Sequence, residues 1–121
     1  PIVVYTRETS SGTYEFMKDH VMDKKEFAKT AISASATAQI VYAVGQNKGA
    51  IGYVGFAYVE PIVKAIQISY DNGKTFVAPT FNNAFNKTYP VTRPLYLLYD
   101  MKKEEKIKPF LDFVLSIYGQ K

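Results

Sequence analysis

Apolar positions open the chain as an unbroken run, Ile2-Val3-Val4-Tyr5, and then stop at a polar stretch, Arg7-Glu8-Thr9-Ser10-Ser11-Gly12-Thr13. A continuous apolar run predicts a strand over residues 2–6 buried on both faces, as central parallel strands are. After the polar stretch the period changes to that of a helix over about Ser11 to Val21, with Tyr14, Met17 and Val21 on one face and Lys18 and Asp19 opposite. Asp23-Lys24-Lys25-Glu26 reads as a loop or short helix anchored by Phe27. Ser35 is the expected N-cap of a helix from Ala36 to Gln46 whose stripe is Ile40, Val41 and Val44. Strands are expected at Ala50–Tyr58, Val63–Ser69 and Thr75–Val77, the last two joined by a hairpin turn at Asp71-Asn72-Gly73-Lys74. A short helix follows from Thr80 to about Phe85, then a loop over 86–90. A nearly all-apolar strand is expected at Pro94–Tyr99. Ile107, Phe110, Leu111, Val114, Leu115 and Tyr118 recur at threes and fours and predict a closing helix over 104–118. Alternating helices and strands make this an α/β chain, and the hairpin makes its sheet mixed but mainly parallel.

Composition narrows this only a little. At 121 residues there is one domain, 1–121. The chain holds ten Tyr, eight Phe and no Trp, which suits a core and half-buried strands as well as an interface. Having no cysteine excludes disulfides, thiolate metal sites and Cys nucleophiles. A net charge of +4 favours anionic partners at long range. The charge is too diffuse for nucleic acid: Glu104 and Glu105 interrupt the lysines at 102, 103, 106 and 108, as on a solvated helix end. No apolar run reaches membrane-spanning length. The chain opens with Pro1 straight into a strand and shows no signal peptide, which reads as a mature, processed or excised segment.

Candidate chemistry gathers at the first strand's end. A helix start carries unpaired N–H groups and a partial positive charge. Arg7 adds a charged fork, Ser11 and Thr13 add hydroxyl and amide donors, and Gly12 allows close approach, a set that suits a tetrahedral oxyanion. The same Ser-Gly-Thr also suits an ordinary helix cap. The position favours a ligand, because strand ends in open α/β sheets are where ligands collect. Catalysis fits poorly. The one histidine, His20, lies roughly 13 Å along the helix from Ser11, too far to relay a proton. There is no Gly-x-Ser-x-Gly elbow and no His, Asp and Glu grouping with metal-ligand spacing. The chain therefore reads as non-enzymatic, with neither cofactor nor metal.

Three stretches in register, Arg7 to Thr13, Gly49-Ala50-Ile51-Gly52-Tyr53-Val54-Gly55 and Tyr89-Pro90-Val91-Thr92-Arg93-Pro94-Leu95-Tyr96, resemble the second domain of the periplasmic phosphate-binding proteins, the PstS family. The ending, Phe110 to Gln120, is similar to that family's late helix. The resemblance implies a single three-layer α/β lobe, as in one domain of a type II periplasmic binding protein. It also implies inorganic phosphate held between two lobes, the first of which lies outside this chain, and an ABC permease as partner. The expected location is the periplasm or the outer face of the cell membrane, as a lipoprotein or soluble protein. By position, Arg7, Ser11, Gly12 and Thr13 match the family's phosphate ligands. Many relatives place an acidic residue two positions after the arginine to hold it. Here that position is Thr9, so either Arg7 is less constrained, with Thr9 and Ser10 as its candidate support, or a different carboxylate fixes it. Arg93 belongs to a family motif and is expected to be structural.

Two other readings stay open. One is an interaction or adhesion module of the same fold whose anion site is idle. The other is a sulfate-like site, since no carboxylate here is clearly placed to accept a proton from phosphate. A lobe without its partner is also expected to leave the face carrying residues 7–13 and both chain ends open or apolar, and so to self-associate.

Overall fold

The computed structural model describes residues 1–120. The opening apolar run forms strand β1, Val3–Arg7. It is central in a three-stranded parallel sheet, between β2, Ile32–Ala34, and β3, Ala50–Ile51. Tyr5 pairs with Ile32 and Arg7 with Ala34 on one side, and Val3 pairs with Ala50 on the other. Helix α1, Gly12–His20, joins β1 to β2, and α2, Thr37–Gln46, joins β2 to β3. The chain therefore moves to one side of β1 and then crosses to the other. This places β1's carboxyl end at the reversal of strand order, where open α/β sheets bind ligands.

Helix α2 holds the sheet together. It touches all three strands, and its Ile40 and Val41 are buried. With Ala34 and the Thr6 side chain they make up the fully buried set among the described residues. β1 is less enclosed than its sequence predicts, since Val3, Val4 and Tyr5 are only half-buried. Helix α1 begins and ends as expected, with Ser11 as N-cap and Val21 as C-cap. Phe27 is the expected anchor. Its ring lies 5.0 Å from that of Tyr14 and 5.9 Å from that of Tyr53.

The second half departs from the expected strands. Strand β3 stops at Ile51, and Phe56–Tyr58 is a 3-10 turn. At the next residue, Gly52, there is no room for a side chain beside Ile40. The hairpin exists, and Asn72 and Gly73 adopt the positive φ angles it needs (58° and 83°). Its flanks pair at a single antiparallel bridge, Ile68 with Val77, outside the sheet. Helix α3, Phe81–Phe85, forms where a short helix is expected, and the Thr80 hydroxyl caps it. Two boundaries shift: the N-cap of α2 is Ala36 rather than Ser35, and the closing helix α4 spans Glu104–Leu115. Strand β2 has no signal in its hydroxyl-rich sequence.

Pro94–Tyr99 is not a strand. It packs against Leu111, Val114 and Leu115 of α4 across a shallow groove, and α4 touches no strand. No sheet edge lies beside the segment to pair its backbone, and Leu95 is 88% and Leu98 95% exposed. The accessible surface is 9953 Å², against about 6,600 Å² for a self-contained globule of this mass.

Candidate functional site

Arg7 is the last residue of β1, so the strand's register fixes where its side chain starts. Beneath it, the Tyr53 hydroxyl lies 2.6 Å from Thr6 Oγ1 and accepts the Arg7 backbone N–H at 3.3 Å. Tyr53 arrives here because β3 is the neighbouring strand and ends two residues earlier. The guanidinium is gripped from the other side. Nη1 donates to Thr37 Oγ1 at 2.8 Å, and Nη2 to the Ser35 carbonyl at 3.3 Å. Nε is buried and has no partner among the described residues.

The support for Arg7 is therefore neither of the two expected kinds. It comes from a hydroxyl and a carbonyl at the start of α2, both neutral. Thr9 and Ser10 form an exposed turn, closed by the Ser11 N–H donating to the Glu8 carbonyl at 3.0 Å. No hydrogen bond joins either of them to Arg7 among the described residues.

Ser11 caps α1: its Oγ accepts the Thr13 N–H at 3.3 Å. The cap reading is thus correct for Ser11, and it does not exhaust the site, because a helix start presents more N–H groups than one cap satisfies. The next two residues are held by a distant side chain. Arg93 Nη1 donates to the Gly12 carbonyl at 2.9 Å, and Nη2 to Thr13 Oγ1 at 3.0 Å. The same guanidinium lies over the Phe16 ring, 5.6 Å from its centroid. Arg93 is structural, as expected, but the structure it supports is the candidate site itself. His20 takes no part in that site. Its ring stacks on Phe16 at 4.5 Å, and Nδ1 lies 3.2 Å from the Phe16 carbonyl.

Sequence reasoning thus assembled Arg7, Ser11, Gly12 and Thr13, which adjoin in the chain, and missed Ser35, Thr37 and Tyr53, which do not. One signal pointed to the missed group: Ser33 to Thr37 is dense in hydroxyls just before an apolar stripe. What results is an arginine whose charge meets only neutral oxygens, beside a helix start that carries partial positive charge. A half-buried cation in that setting calls for an anion.

Residues 1–117 match the family described as PBP superfamily domain. The phosphate-binding protein PstS of Pseudomonas aeruginosa is 32% identical over 124 residues, covering 99% of this chain and 38% of that protein. A Clostridium perfringens structure, described as a phosphate ABC transporter substrate-binding protein with bound phosphate, superposes with a TM-score of 0.80 at 33% identity. It matches over 99% of this chain and 48% of its own. A phosphate-binding protein of a Streptococcus pneumoniae phosphate ABC transporter gives a TM-score of 0.75 at 28% identity, over 98% of this chain and 47% of its own. The chain thus spans about two fifths of that curated relative's length and about half of those solved chains.

Proposed function

Because this chain belongs to the PBP superfamily, we propose that it is one lobe of a solute-binding protein that takes inorganic phosphate and serves an ABC phosphate importer outside the cytoplasmic membrane. The observation that carries the proposal is the state of Arg7. Its guanidinium is anchored by Thr37 and Ser35, its charge meets no carboxylate, and its Nε is buried and unpaired. An anion beside the guanidinium would accept from the Nη hydrogens that Thr37 and Ser35 leave free, in charge-assisted bonds. Ser11, Gly12 and Thr13 stand at the adjoining helix start and would add hydroxyl and amide donors.

The role is binding, with no bond made or broken. The residues favour a tetrahedral oxyanion, and phosphate rather than sulfate is supported by the relatives named above. A second lobe would supply the remaining contacts, and closure of the two lobes would dry the anion and strengthen every bond to it. The large accessible surface and the unpaired segment 94–99 support that companion.

Isothermal calorimetry of the full-length protein tests the reading. Inorganic phosphate should bind, and Arg7→Ala should weaken binding by ~1.5–3 kcal/mol, the scale of hydrogen bonds to a charged group. A folded protein that binds nothing at millimolar phosphate would refute it.

A further inference from the structure

Arg93 stands at the far end of the chain from the site and reaches back to it. Its fork spans two acceptors, the Gly12 carbonyl at 2.9 Å and Thr13 Oγ1 at 3.0 Å. The Phe16 ring beneath it limits the planar group to one orientation. Gly12 is fitted to this contact: a Cβ there would lie 3.3 Å from Nη1 and 3.9 Å from Nη2. The glycine thus makes room for the arginine.

The chemistry of the two acceptors gives the contact a consequence. A threonine hydroxyl has one proton to give and two lone pairs to receive. Arginine has donors only. When Arg93 Nη2 donates to Thr13 Oγ1, the Thr13 proton cannot be spent on Arg93 and is left to point elsewhere. The Gly12 carbonyl and the Thr13 N–H belong to one planar peptide. Holding the carbonyl fixes the direction of the N–H, which Ser11 Oγ accepts, and so keeps the Ser11 cap and the Thr13 side chain in register at the helix start.

We propose that Arg93 is a positioning residue for the oxyanion site. It locks the Gly12–Thr13 peptide and turns the Thr13 hydroxyl into a committed donor to the anion, without touching the anion itself. The inference rests on the phosphate-binding reading above and extends it to a residue remote in sequence. The chain leaves this contact directly into Pro94–Tyr99, so the contact also ties the site to the exposed apolar segment.

The test is a double-mutant cycle in the full-length protein, read by calorimetry with inorganic phosphate. Arg93→Ala and Thr13→Val should each weaken binding about five- to thirtyfold. The double variant should be no more than about twofold weaker than the worse single one, because Arg93 acts through the proton that Thr13→Val removes. Arg93→Lys should recover part of the loss, since an ammonium can make one of the two contacts. A purely structural role would give neither that coupling nor that recovery. An Arg93→Ala protein within twofold of wild type, or losses that simply multiply in the double variant, overturns the proposal. If Arg93→Ala does not fold, Thr13→Ser and Thr13→Val decide: Ser should keep the affinity and Val lose it, and equal affinities overturn the proposal. A wild-type protein that binds no phosphate overturns the parent reading as well. A wild type that binds, weakened by Arg7→Ala but untouched by Arg93→Ala, overturns this inference alone.

Discussion

At Gly52 an added Cβ would fall 2.5 Å from Ile40 Cγ2 and 3.5 Å from Tyr5 Cβ. Ile40 is the most enclosed side chain described, 1% exposed, so it has nowhere to retreat. Gly52→Ala should therefore destabilise the protein by about 1–3 kcal/mol through overpacking, measured by urea unfolding. An unchanged midpoint would show that α2 is free to shift. A glycine inside the strand expected at Ala50–Tyr58 implies close backbone approach or a bend, but the sequence does not say what approaches. The same holds in the candidate site. Arg7, Ser11, Gly12 and Thr13 were legible because one strand–turn–helix unit carries them all, and local chemistry is written in local sequence. Thr37, Ser35, Tyr53 and Arg93 were not, because what brings them to Arg7 and α1 is sheet register and a returning loop, neither of which leaves a mark in short spacing. The support of Arg7 was illegible for a related reason: the resemblance directs attention two residues along the chain, to Thr9, and the support arrives from the start of the next helix.

Among the elements, the hairpin at 69–76 shows what turn chemistry can and cannot specify. Asp71 Oδ1 accepts from the Ser69 hydroxyl at 2.7 Å and from the backbone N–H groups of Thr75 at 2.8 Å and Lys74 at 3.1 Å. The Ser69 hydroxyl first, then the Thr75 backbone and side chain, hold its carboxyl down from 3.8 to about 2. The folded value lies below the unfolded one, so the carboxylate supports the turn above about pH 4. That support is lost as pH falls through about 2. The Thr75 amide resonance, followed by NMR, should titrate over this range, and Asp71→Asn should abolish the change. A Thr75 shift that persists in the variant would assign it to another group. The turn was legible because Asn-Gly tolerates the backbone angles required. Its flanks pair only at Ile68 and Val77, since a turn cannot supply the sheet that longer strands need. Pro94–Tyr99 makes the same point. Its residues are strand-like, and a strand exists only beside an edge that can bond its backbone. Helix α4 was legible to within a turn because its pattern needs no distant partner to form.

For the molecule as a whole, 9953 Å² of accessible surface exceeds the globular expectation by several times the roughly 800 Å² that each partner contributes to a standard interface. Of the face expected to be apolar, the chain ends carry exposed Ile2, Ile117 and Tyr118, but the excess is not centred on residues 7–13. It runs through Leu95, Tyr96, Leu98, Phe110, Phe113 and Leu115. Residues 1–121 produced alone should therefore self-associate at micromolar concentration and bind a hydrophobic dye. Changing Leu95 and Leu98 together to Lys should reduce both, as followed by sedimentation velocity. A monomeric, dye-silent segment would mean that this belt closes on itself in solution. The sheet has a different consequence, one of timing. β1 lies at the head of the chain, and its partners are residues 32–34 and 50–51. No neighbour in sequence can pair with it, so each pairing must first close a long loop, and loop closure costs entropy before any contact returns it. The strand that ends in Arg7 therefore stays unpaired until residues 32–34 and 50–51 have folded back to it, and the candidate anion site takes shape only after both loops close.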